Sequence, residues 1–156
     1  MTEFVLAAAF VVVCYTVMVS IMDGGLPTSL SSSVFALDRE WKWLFGAVMF
    51  CCGVLIGITI IDKAEENFKF LGFLVTVGMG IVAVTPLFKK DMLAAHYVGA
   101  FLAGGSATLV VALHNPICLC VWVPYIIYIL ASSTCTRKVL WAEAAAFASA
   151  IWWCLM

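Results

Sequence analysis

Runs of about twenty residues almost free of charge recur along this chain, the length that a helix needs to cross a bilayer. They occupy 4–22, 41–61, 70–88, 92–113, 117–133 and 139–156, and little sequence lies outside them. Backbone in lipid must satisfy its own hydrogen bonds, so such runs are expected as helices. The reading is an all-α, polytopic integral membrane protein. Residues 1–156 form a single transmembrane domain, a bundle of six helices whose short links make neighbours antiparallel. The fifth run is the shortest and holds Pro124.

Composition agrees. The chain is 65% hydrophobic and 11% charged, with a mean hydropathy of +1.15. Soluble domains run at roughly 45–50% apolar and about 25% charged. A small water-soluble globule could not hide this much apolar surface. A soluble enzyme, a disordered chain and a nucleic-acid binder are thereby excluded, and the lipid bilayer is the expected partner. The first run follows Met1-Thr2-Glu3, an acid where a signal peptide needs positive charge, and is read as a retained helix.

Orientation follows from the basic residues. Links after runs one, three and five carry Arg39, Lys42, Lys89, Lys90, Arg137 and Lys138; the opposite links carry Lys63 and Lys69 beside Asp62, Glu65 and Glu66. The first group is expected in the cytoplasm, which puts both termini outside. Trp41, Trp43 and Trp141 then mark the inner interface, and Trp152 and Trp153 the outer one.

Ionisable groups inside a membrane are costly, so they are the first places to look for function. His96 lies about one turn inside the fourth run and Glu143 about one turn inside the sixth, both from the cytoplasmic end. His96 shares a helical face with Gly99, Ala100, Ala103 and Ala107, and Glu143 with Ala146, Phe147 and Ala150. Small residues let membrane helices approach closely, so both groups are expected on packing faces. A direct His–Glu pair, or a site shared with loop residues, would lower the cost of both.

The link 23–40 returns to that side and is rich in turn formers, with Gly24, Gly25, Pro27 and four serines. The expected ligand-binding site joins His96 and Glu143 to Ser29, Ser31, Asp38 and Asp91. A structural network that fixes helix register is the plainer alternative. His114 is expected at the outer interface near Asp62, Glu65 and Glu66. No catalytic residue is assigned. No metal is expected either, because two histidines cannot build a three-histidine zinc site and Cys118-x-Cys120 lacks metal-pair spacing. No cofactor motif is present.

Gly53-x-x-x-Gly57 suits close helix contact, or dimerisation through small-residue faces if it meets lipid. Gly78-Met-Gly80, Thr85-Pro86 and Gly104-Gly105 permit bends. Packing is the plainer use of each.

Several pieces taken together look familiar: Leu26-Pro27-Thr28-Ser29-Leu30-Ser31-Ser32-Ser33, Trp43-Leu44-Phe45, Thr85-Pro86-Leu87-Phe88, His96-Tyr97-x-Gly99-Ala100 and Trp141-x-Glu143. The chain resembles six-helix membrane proteins of gut Bacteroidetes and their mobile elements, and more remotely the Frag/DRAM/Sfk type. The resemblance implies a bacterial inner membrane and marks Pro27, Ser29, Ser31, Pro86, His96 and Glu143. Its distant kin include lipid-handling proteins and metal-dependent amide hydrolases. The paired histidines of those hydrolases have no counterpart in 139–156, so zinc hydrolysis is not implied.

Three functions remain open on this reading. The first is binding of a lipid head group, small ligand or proton at the cytoplasmic-leaflet pocket. The second is a self-associating pore of defence or exclusion type. The third is an intramembrane lipid hydrolase built from a serine, His96 and Glu143, although a non-enzyme is favoured.

Overall fold

A computed structural model of the chain describes residues 2–85, 90–131 and 137–156, with Lys90 through its backbone alone. Positions 86–88, 132–133, Lys89, the Lys90 side chain and Cys135 lie outside the described residues. So does the marked Pro86.

The described chain is all-α. Its helices are α1 Thr2–Met22, α2 Lys42–Lys63, α3 Lys69–Val84, α4 Leu93–His114, α5 Trp122–Ala131 and α6 Lys138–Leu155, joined through short 3-10 turns. The helices α1 to α4, with the turns that lead into α2 and α3, are long and apolar enough to cross a membrane. Large apolar side chains cover the outside: Phe101 is 81% exposed and Phe10 70%. A soluble monomer rarely shows contiguous apolar patches above a few hundred Å².

The fifth run differs from the single helix expected over 117–133. Residues Pro116–Val121 form a 3-10 turn, and among the described residues of the run only Trp122–Ala131 is α-helical. Proline lacks an N–H and is tolerated only in a helix's first turn. The α-helix can therefore start no earlier than just before Pro124, and the preceding residues tighten into 3-10 geometry. None of the α5 residues is buried.

Close approach organises α2, α3 and α4. A Cβ at Gly57 would lie 1.9 Å from the Thr76 Oγ1 and 2.7 Å from the Gly72 carbonyl oxygen. The Gly53/Gly57 pair thus meets α3 within the chain. Gly78 and Gly99 stand back to back across α3 and α4. Neither Gly104 nor Gly105 has a neighbour within 4 Å of its would-be Cβ, and α4 runs unbroken through both.

α1 packs on α2, where the Cys52 thiol donates to the Ala8 carbonyl and Tyr15 tilts against Phe45. α6 touches α1, α2, α4 and α5. Between α2, α3, α4 and α6 lies a cavity of about 50 Å³ lined by apolar side chains, Ile56, Met79 and Phe147 among them. A water there would lack the polar partners it needs.

The bundle has two distinct ends. At one, Lys63 donates to the Trp153 and Cys154 carbonyls at 2.9 and 3.1 Å and caps α6. Trp153, expected to mark an interface, is buried at 4% exposure under that lysine and beside His114. A cation over its ring and an imidazole at its edge make the inside the better place for it. The opposite end carries the link 23–40.

Candidate functional site

α1 stops where Gly24 takes a φ of 70°, a left-handed conformation that glycine adopts at no steric cost. The Gly25 N–H closes the helix on the Ser20 carbonyl at 2.9 Å, the wider of the two bonds of a Schellman end. The chain then folds back over its own end of the bundle.

The serines of this loop bond mostly to one another. The Ser29 N–H donates to the Ser32 hydroxyl and the Ser32 N–H to the Ser29 hydroxyl, each at 2.9 Å. This is the reciprocal pattern of a capping box with serine in place of the acid. It lies across the start of the 3-10 turn Ser31–Phe35, whose N-cap position is Leu30. The Ser33 hydroxyl donates to the Leu30 carbonyl, so it must accept at 2.6 Å from the Tyr15 hydroxyl.

Three helices hold the folded loop from below. Tyr15 of α1 is the first holder. The second is His96 of α4, 2% exposed, with Nδ1 2.6 Å from the Thr85 carbonyl and Nε2 2.9 Å from the Ser31 hydroxyl. A carbonyl only accepts, so Nδ1 carries a proton; in the neutral ring Nε2 then accepts from Ser31. The third is Glu143 of α6, whose carboxylate accepts the Leu30 N–H at 2.6 Å, with the Ser31 N–H directed at the same group. Two backbone contacts complete the dock: the Leu140 N–H donates to the Thr28 carbonyl at 3.2 Å, and the Arg137 Nε to the Leu26 carbonyl at 3.0 Å.

His96, Glu143, Ser29 and Ser31 therefore converge on one short stretch of loop. The imidazole and the carboxylate share Ser31 between them, one through its hydroxyl and the other through its backbone; no hydrogen bond joins them directly among the described residues. Ala100 leaves the packing face on which it was expected and is exposed, while Gly99, Ala103 and Ala107 stay buried. Asp38 and Asp91 are exposed and, among the described residues, make no side-chain hydrogen bond or ion pair. Each sits at a 3-10 turn where its charge stays in water, which costs nothing.

Three contributors were not expected. Tyr15 reads as one more aromatic in an apolar run. Arg137 reads as a topology signal. The Thr85 carbonyl is a backbone group, although proline after it disfavours helix at Thr85 and so leaves its acceptor free. At the far end, the His114 Nδ1–H donates to the Val110 carbonyl at 2.9 Å and Nε2 accepts the Glu65 N–H at 3.3 Å. That histidine meets the backbone of Glu65, not an acid side chain.

Two grooves flank α6. One, of about 340 Å³ between α1 and α6, is lined by Ala9, Val12, Val13, Phe147 and others, and ends against Leu26 and Leu30. The second, of about 520 Å³ between α5 and α6, has Arg137 on its wall. Both fall in the range of small-molecule sites. Among the described residues no cluster of three or more metal-ligating side chains occurs. No protein-family model, curated protein or solved structure matches the chain.

Proposed function

We propose that this is a six-span integral protein of a bacterial inner membrane that binds a lipid along α6, with the serine loop as the element that the bound lipid stabilises. The loop end faces the cytoplasm in this reading, because Arg39, Lys42, Lys89, Lys90, Arg137 and Lys138 gather on it by sequence. The remote resemblance to the Frag/DRAM/Sfk type, whose distant kin include lipid-handling proteins, points the same way.

One observation carries the proposal. The α1/α6 groove is walled by apolar side chains, and its one hydroxyl, on Thr16, is already committed to the Val12 carbonyl at 2.8 Å. It ends on Leu30, whose N–H is held by Glu143. An acyl chain in the groove would touch Leu30 from one side while Glu143 holds it from the other. Occupancy and loop docking are then linked, since a ligand that favours the docked state stabilises it by its differential affinity.

The test is native mass spectrometry of delipidated protein titrated with phospholipid. Ala9→Trp, which fills the groove, should cut saturable lipid binding several-fold; Ala7→Trp, on an exposed part of α1, should leave it unchanged. Equal binding by the two variants, or no saturable lipid at all, would sink the proposal.

A second reading rests on the row formed by the Ser31 hydroxyl, the His96 ring and the Thr85 carbonyl, which has the order nucleophile, base and orienting group. On this reading the protein is an intramembrane lipid hydrolase. A fluorophosphonate probe should then label Ser31 in the wild type and fail in His96→Leu; an unlabelled wild type rejects it.

A further inference from the structure

We infer that the α5/α6 groove is a site for one net-anionic phospholipid, with its phosphate on Arg137 and an acyl chain against Pro124, Tyr125 and Ala148. The inference rests on the lipid-binding reading above and adds to it a second groove, a head-group class and a binding residue.

Among the described residues α5 packs mainly on α6 and on the 3-10 turn that precedes it, which leaves a groove between α5 and α6. On the α6 side the wall is Ala144, Ala145 and Ala148, side chains too small to reach α5. On the α5 side Pro124 presents a ring and no N–H. Tyr128 and Trp141 meet edge to face, with centroids 6.2 Å apart. Such aromatics sit at head-group depth in membrane proteins.

Charge settles which lipid fits. The Arg137 Nε is spent on the Leu26 carbonyl, which leaves the two terminal nitrogens and their four N–H groups. No acid pairs with Arg137 or with its neighbour Lys138 among the described residues. A guanidinium beside an apolar groove with no counter-ion is costly. Its planar fork matches a phosphate with two parallel bonds. The Arg137 cation favours a head group of net charge −1 over a zwitterion, whose ammonium it repels. A second copy of this chain would have to bring an acid into the groove, whereas the bilayer supplies phosphate at this depth everywhere.

The experiment titrates delipidated protein with phosphatidylglycerol and with phosphatidylcholine of identical acyl chains, read by native mass spectrometry. Wild type should hold phosphatidylglycerol about tenfold more tightly, the scale of one charge-assisted contact. Arg137→Gln keeps an N–H donor for the Leu26 carbonyl but deletes the charge. It should abolish the preference, so that phosphatidylglycerol and phosphatidylcholine bind with the same affinity. Val121→Trp fills the far part of the groove with Arg137 intact and should weaken phosphatidylglycerol as well, which covers the case in which Arg137→Gln does not fold.

Equal affinity of wild type for the two lipids overturns the inference while the lipid-binding reading stands. The same holds if only Ala9→Trp weakens binding, since the lipid then sits between α1 and α6. Failure of wild type to retain either lipid overturns both.

Discussion

Ser31→Ala isolates the contact on which the loop end depends. The substitution removes one oxygen, changes no helix, and deletes the hydroxyl that faces His96 Nε2 at 2.9 Å. The imidazole stays in place, because Nδ1 is still bonded to the Thr85 carbonyl at 2.6 Å. With the ring 2% exposed, water has little access to the abandoned Nε2. A buried polar atom left without its partner costs about 1–3 kcal/mol, so a loss near 2 kcal/mol is expected. His96→Leu strands both the Thr85 carbonyl and the Ser31 hydroxyl and should cost more, about 3–5 kcal/mol. In that background Ser31 is already unpaired, so removing its hydroxyl should cost almost nothing. The coupling in the double-mutant cycle is therefore about 2 kcal/mol. Reversible unfolding in mixed detergent micelles, followed by tryptophan fluorescence, measures all four species. The same cost for Ser31→Ala in both backgrounds would show that the hydroxyl and the imidazole do not depend on each other, and the reasoning would fail.

Other perturbations separate further parts of the molecule. Glu143→Leu should raise hydrogen exchange at the Leu30 amide by tenfold or more, whereas Glu143→Gln, which keeps an acceptor, should raise it far less; equal exchange in the two would remove Glu143 from the dock. Gly57→Ala should destabilise by about 3 kcal/mol, because the new methyl meets the Gly72 backbone oxygen at 2.7 Å and α2 must leave α3. Gly104→Ala, with open space around its Cβ, should be neutral or gain up to about 1 kcal/mol on the same unfolding assay. Trp122→Phe should leave stability within about 0.5 kcal/mol, since the buried indole N–H has no hydrogen-bond partner among the described residues to lose.

How much of this was legible depends on which interaction set each feature. The expected runs at 4–22 and 92–113 differ from α1 and α4 by no more than two residues at either end. Lipid solvation and backbone hydrogen bonding are both local, and the apolar run records them directly. The run at 117–133 departs from a single α-helix because Pro116 lies just before it and Pro124 within it, and local backbone chemistry overrules hydropathy there. His96 and Glu143 stood out as ionisable groups in apolar runs, which is a composition signal. Their partners carried no such signal. Ser31 was one of four similar serines, and which of them turns down to His96 depends on the Ser29–Ser32 reciprocal bonds. Asp38 and Asp91 lie near the site along the chain, yet a turn residue can as easily point away from it.

The amino-acid order alone determined the helical class, the long apolar segments and the rarity of polar groups within them, because each follows from a short stretch meeting its solvent. The tertiary structure alone decided that the histidine and the carboxylate hold the same short stretch of loop, with no hydrogen bond between them among the described residues. It also decided that the glycine pair of α2 faces α3 and that Arg137 borders a groove. These are relations between segments far apart in the chain, settled by how close two helices come and how the loop folds onto them.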